Sequence, residues 1–186
     1  MVGRMGCSIE LAPTARSKCR GCGTLIGKSE WRFGERLPNP FGRGVATLWF
    51  HVRCAAFKRP GPFLTTLVSL DVDLPDRDHL EKRATQGLEL RRLPRIDGVE
   101  LATGARARCR HCHAMIVKGD WRIPLVFFEE GAFNRRGFIH LKCSRQYFDT
   151  TDILDRISAF APYLEPDDVT QLRSMLESTS FAKAGE

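Results

Sequence analysis

The residues with the most chemistry in this 186-residue chain are its cysteines. Cys19 and Cys22 form a Cys-x2-Cys pair, and 28 residues later His51 and Cys54 form a His-x2-Cys pair. The order returns as Cys109 and Cys112, then 27 residues, then His140 and Cys143. A Cys-x2-Cys turn aims two sulfurs at one centre about 2.3 Å away, and a second pair closes a tetrahedron. Thiolate with imidazole suits zinc, whereas magnesium and calcium want oxygen ligands. Three Cys and one His leave no open position for a catalytic water, so the spacing predicts two structural Zn2+ ions per chain. Reduced core cysteines or a redox pair would not account for a His-x2-Cys half-site in both places. His111 and His113 flank Cys112 as rival ligands, but glycines stand at the matching Gly21 and Gly23, so both histidines are expected to be exposed. Cys7 is left over and reads as a partly buried thiol. His79 is expected to have no special role.

These ligands sit in a repeat. Residues 15–32 (ARSKCRGCGTLIGKSEWR) and 105–122 (ARARCRHCHAMIVKGDWR) match at a constant offset of 90, and Trp49–Cys54 matches Phe138–Cys143 after one deletion. Repeats of this kind are read before anything else. Each copy opens on an alternating strand pattern, Ser8–Leu11 and Gly98–Leu101. Each ends in a helical pattern: Leu74–Leu88 with Leu80, Ala84 and Leu88 on one face, and Pro166–Glu177 with Val169, Leu172, Met175 and Leu176 on one face. Residues 89–97 (ELRRLPRID) read as a linker, between one unit at 8–88 and another at 98–180. The expected fold class is small α+β, two tandem zinc-stabilised fingers, each a short antiparallel sheet with a long loop and a C-terminal helix.

Charge separates along the chain, whose formal net charge is +7. Residues 15–60 hold ten Lys/Arg against two Asp/Glu, and 105–145 hold nine against three, while the tails are acidic. Arginine dominates, and its planar fork matches phosphate oxygens. Basic cores with acidic tails point to a phosphate-bearing partner. No apolar stretch approaches the ~20 residues of a membrane span, and Met1–Glu10 lacks a secretory signal pattern. Gly27-Lys28-Ser29 imitates the end of a phosphate-binding loop, but the glycine such a loop needs five residues earlier is Cys22. Trp31 and Trp121, beside the zinc turns, read as scaffold packing.

The pattern A-R-x-x-C-R-x-C-x3-I-x-K-x2-W-R, a long loop, and then W-F-H-x2-C resembles the poly(ADP-ribose) polymerase-type zinc finger, which also stands at the head of a eukaryotic DNA ligase. The resemblance covers about residues 8–88 and 98–180. It implies a module that recognises DNA strand breaks without reading sequence. It implies that Arg16 and Arg106, with Arg32 and Arg122, contact the DNA backbone. It also implies that apolar residues of the long loop, Leu37–Leu48 and Phe127–Phe138, stack on exposed bases; the candidates are Phe41 and Val45, then Phe133. Arg20, Arg43, Arg110 and Arg135 complete the expected DNA-binding set. The chain departs from the family at Pro13-Thr14 and Thr103-Gly104, where Lys-Ser is frequent, which removes one phosphate contact per finger.

The resulting expectation is a non-catalytic protein, intracellular and DNA-associated (nucleoid or nucleus), with no membrane association. It would bind nicks, gaps and ends as a monomer, with repair proteins as further partners. Aromatic stacking on unpaired bases contributes ~1–3 kcal/mol each, and an intact duplex hides those faces. Two rivals make different predictions. A zinc-stabilised protein-interaction adaptor would show no salt-dependent DNA binding. An RNA or single-strand binder would use the same charge and aromatics.

Overall fold

The computed structural model describes residues 6–39 and 42–181. The chain divides into two compact units. One comprises Met1–Pro94 with Phe128–Phe133, the other Arg95–Phe127 with Asn134–Glu186.

The first unit is built on an antiparallel sheet of β1 (Cys7–Leu11), β2 (Trp31–Pro38) and β3 (Val45–His51), in that order. Cross-strand register sorts its two faces. The row Ile9–Phe33–Phe50 turns inward, and all three side chains are buried. Helices α1 (Val52–Lys58), α2 (Pro60–Val68) and α3 (Arg77–Glu89) carry Phe57, Phe63, Leu67, Leu80 and Ala84 into the same core. Phe33 stands 5.8 Å from Phe63, edge to face. Buried Glu35 is satisfied by a two-pronged pair with Arg59, at 2.7 and 2.6 Å. Sequence periodicity anticipated α3 but not α1 and α2.

The second unit repeats the sheet as β4 (Glu100–Leu101), β5 (Trp121–Glu129) and β6 (Ala132–His140). Its first strand is shorter than β1. Pro124 stands where β2 has Gly34, and the strand continues only through an isolated Ile96–Leu125 bridge and the Asp97 N–H, which donates to the Pro124 carbonyl at 3.1 Å. Ile96 and Leu93 are buried, so the stretch read as a linker contributes core residues. Helices α4 (Ser144–Phe148), α5 (Leu154–Ala159) and α6 (Pro166–Phe181) cover the unit, with Phe148, Ile157, Leu172 and Leu176 buried.

Of the expected long loops, Phe127–Phe138 is mostly strand, and Leu37, Pro38 and Val45–Leu48 of the first lie in β2 and β3. The Asn39 N–H donates to the Gly44 carbonyl at 3.0 Å between those two strands. In the β5–β6 hairpin, whose tip, Phe128–Phe133, belongs to the first unit, the turn is Glu130-Gly131, both at positive φ (50° and 78°). That is the conformation two-residue hairpins favour, because its twist matches that of the strands. Phe127, Phe128, Phe133 and Phe138 are therefore strand residues, not loop residues.

Candidate metal centres and nucleic-acid interface

Each sheet places a His-x2-Cys pair at the end of its last strand, with the Cys-x2-Cys turn folded against it. His51 closes β3, and Cys54 lies one turn on in α1. The Arg20 N–H donates to the Trp49 carbonyl at 2.8 Å, and the Arg110 N–H to the Phe138 carbonyl at 2.9 Å, pinning both turns alike. The ligand atoms of Cys19, Cys22, His51 and Cys54 lie within 4.8 Å of one another, as do those of Cys109, Cys112, His140 and Cys143. Bonds of about 2.3 Å to one tetrahedral ion put ligand atoms about 3.8 Å apart, so both sets fit zinc. In each, Nδ1 is the imidazole atom that faces sulfur: 3.4 Å from Cys22 and 3.9 Å from Cys54 in the first, 3.4 Å from Cys112 and 3.8 Å from Cys143 in the second.

The outer atoms complete the sites. His51 Nε2 reaches the Leu25 carbonyl at 3.3 Å, and His140 Nε2 reaches the Met115 carbonyl at 3.1 Å. A proton there fixes the tautomer that leaves Nδ1 for the metal. The His51 and His140 N–H groups point at Cys19 and Cys109 Sγ, each at 3.4 Å. Hydrogen bonds with Cys19 and Cys54 pull the Cys22 thiol far below the ordinary thiol range. Hydrogen bonds with the Cys19 and Cys22 sulfurs hold His51 up at about 10. A divalent cation must displace the protons that remain on thiol and imidazole, so its binding releases protons. His111, His113 and His79 are exposed, and Cys7 is a half-buried free thiol whose burial raises its pKa.

No protein-family model matches the chain. Two relatives do: poly [ADP-ribose] polymerase 1 of Arabidopsis thaliana, 22% identical over 197 residues and covering 94% of this chain, and its namesake in Oryza sativa subsp. japonica, 24% identical over 143 residues and covering 71%. In ligand set and spacing both units are similar to zinc fingers of the poly(ADP-ribose) polymerase type. The chain spans 19% of the first relative's length and 14% of the second's. Among the described residues, no helix is long and apolar enough to cross a membrane.

The expected DNA-contact residues fall into three groups. Arg16, Arg20, Arg106 and Arg110 are exposed on the zinc turns, and Arg43 and Val45 are exposed at the first hairpin. Gly137, at φ 108°, makes room for Arg110, because a Cβ there would come within 2.7 Å of Nε. Phe41 lies outside the described residues.

Arg32 and Arg122 form the second group, and their guanidinium groups are engaged within the protein. Arg32 is 6% exposed. Its Nε and Nη2 donate to Glu10 Oε1 at 3.2 and 2.5 Å, Nη1 donates to Ser17 Oγ at 2.9 Å, and the guanidinium lies 3.5 Å from the Trp49 ring centre. Gly34 keeps that stack close, since a Cβ would meet the indole at 2.6 Å. The second finger repeats the brace: Arg122 donates to Glu100 at 3.0 and 2.6 Å and lies 3.8 Å from the Phe138 ring centre. Sequence reasoning missed Glu10, Ser17, Trp49, Glu100 and Phe138 as partners, although Glu10 and Glu100 stand at the same 90-residue offset as the zinc ligands.

The third group is partly committed elsewhere. Phe133 is half-buried, its ring 6.2 Å from Phe50 and 4.8 Å from Phe128. Arg135, 57% exposed, pairs with Asp97 at 3.0 Å and Glu100 at 3.6 Å. These placements make a test of the brace. Arg32→Ala should lower finger stability by about 1–3 kcal/mol, with Arg32→Lys failing to restore it because a point charge replaces neither fork nor stack. Thermal denaturation of the zinc-loaded chain checks this; an unchanged midpoint would show that the brace is dispensable.

Proposed function

We propose that this protein is a non-catalytic DNA-binding module that engages strand breaks independently of sequence, through both fingers. The observation that carries the reading is the repeated placement of exposed arginines, Arg16 and Arg20, then Arg106 and Arg110, on turns held by Cys3His clusters. Rigid turns position these charges without spending entropy on binding, and arginine grips phosphate oxygens in a fixed fork. Phosphate contacts carry no sequence information, so discrimination falls to faces an intact duplex hides. Val45 and its Gly-rich neighbours, exposed beside Arg43, are the candidate element for an unstacked base. The names of the relatives support this direction. The protein acts as a monomer within cells, bound to DNA, where repair proteins join it at the lesion.

With the Arg32 and Arg122 braces closed, Arg16 and Arg106 carry the main backbone contacts. Arg32 and Arg122 hold the sheet surface behind them. The deciding experiment is a competition assay with nicked, gapped, blunt-ended and intact duplexes, and RNA, all of equal length. Nicked DNA should compete at least about tenfold better than intact duplex, the worth of one stacked base. Equal competition by nicked and intact duplexes would remove break recognition, and preference for RNA would favour the single-strand reading.

A further inference from the structure

The two fingers differ at one repeated tryptophan. In the second, the Trp121 indole N–H donates to Gln171 Oε1 of α6 at 3.2 Å. In the first, Trp31 borders a cavity of about 600 Å³ with Glu30, Val52, Asp76 and His79. Its indole N–H has no hydrogen-bond partner among the described residues.

The helices that end the two repeats can be set in register by burial. Leu80 and Leu172 are both buried, as are Ala84 and Leu176 four residues on. One residue before each leucine stand His79 and Gln171. Gln171 bonds its finger's tryptophan, and His79 lines the same cleft as Trp31. The second finger therefore satisfies its tryptophan from within, with a carboxamide oxygen. The first has an imidazole at that position and leaves room beside the indole.

We propose that this cavity docks a segment of a partner protein that presents a glutamine or asparagine carboxamide to Trp31. The carboxamide oxygen accepts from the indole N–H, as Gln171 does in the second finger. Its NH2 group offers two donors, which suit the exposed carboxylate of Asp76 at the rim; Glu30 already accepts from the Gly27 N–H at 2.8 Å and stands 3.7 Å from His51 Nε2. Val52 and buried Leu80 give the adjoining apolar wall. The volume falls in the range of ligand sites, about 300–1,000 Å³, enough for one side chain with its flanking backbone. Arg53 and His79 share the lining with Glu30 and Asp76, so the cleft is of mixed charge. The inference does not depend on DNA binding.

The test uses the full zinc-loaded chain with 15N-labelled tryptophan. It has three tryptophans and so three indole N–H signals, and Trp31→Phe assigns the one of interest. The probe is the tripeptide acetyl-Ala-Gln-Ala-amide, beside a control with norleucine in place of glutamine. A saturable shift of the Trp31 signal alone is expected, with a dissociation constant of about 1 mM or tighter, and none with the control. His79→Gln supplies the carboxamide from the finger's own helix, and should weaken peptide binding at least about tenfold. Absence of a saturable shift overturns the proposal, as does an equal response to norleucine. Unchanged peptide binding in His79→Gln overturns the correspondence with Gln171. If nicked duplex moves the Trp31 signal and blocks the peptide, the cleft belongs to the nucleic-acid face and the docking proposal fails.

Discussion

Cys54→Ala in the full chain should reduce the metal content from two zinc ions to one and unfold the first finger. Cys54, in α1, supplies one of four ligand atoms around a single centre, and it is buried, as is Cys19. Removing it leaves three ligands and an uncompensated cluster of buried thiols. Apparent zinc binding energies in small fingers are about 10–16 kcal/mol, larger than the roughly 5–15 kcal/mol that stabilises a whole domain. The sheet that holds Arg32 and the turn that carries Arg16 should lose order together. Strong chelators should do the same to both fingers. Elemental analysis with far-ultraviolet circular dichroism checks this. Well-folded protein with one zinc or none before any substitution would contradict two structural sites.

The second large effect concerns binding rather than folding. The double variant Arg16→Ala, Arg106→Ala should lose at least about tenfold in affinity for nicked DNA, and the slope of log affinity against log salt should fall by about two, one unit for each lost phosphate contact. Both arginines are exposed, so the denaturation midpoint should stay put. Arg32→Ala should show the opposite pattern, a lower midpoint with a secondary loss of binding. Titrations at several salt concentrations separate the two. If Arg16→Ala, Arg106→Ala leaves the salt slope unchanged, the zinc turns are not the phosphate-binding surface.

The metal ligands were legible because their spacing is local and written twice. The three-stranded sheets were half legible. β1 alternates cleanly, but the hairpins were read as loops, because the long loop that the resemblance implied was laid over Leu37–Leu48 and Phe127–Phe138. The Glu130-Gly131 turn between two β-rich runs was the signal that could have corrected this. The buried state of Arg32 was not legible. Its partners, Glu10 and Trp49, come from neighbouring strands on either side, and only their pairing register brings them together. Helices α1 and α2 were missed because α1 is seven residues long and buried from Cys54 to Lys58, while α2 opens on Pro60-Gly61-Pro62, which reads as a break.

The Arg–Glu–aromatic brace has a consequence for how this chain can diverge. Glu10 and Arg32 occupy one cross-strand row, and Glu100 and Arg122 occupy the matching one. A buried guanidinium without its carboxylate is costly, so neither member can be exchanged at leisure. Among relatives, the two positions of a brace should therefore change as a pair, and the ring beneath should swap only between aromatic types, as Trp49 and Phe138 already do within this one molecule. Arg16 and Arg106 carry no such tie. Each can drift to lysine or vanish singly as the preferred lesion shifts, leaving the scaffold's lineage recorded in the hidden arginines and its changing task in the open ones.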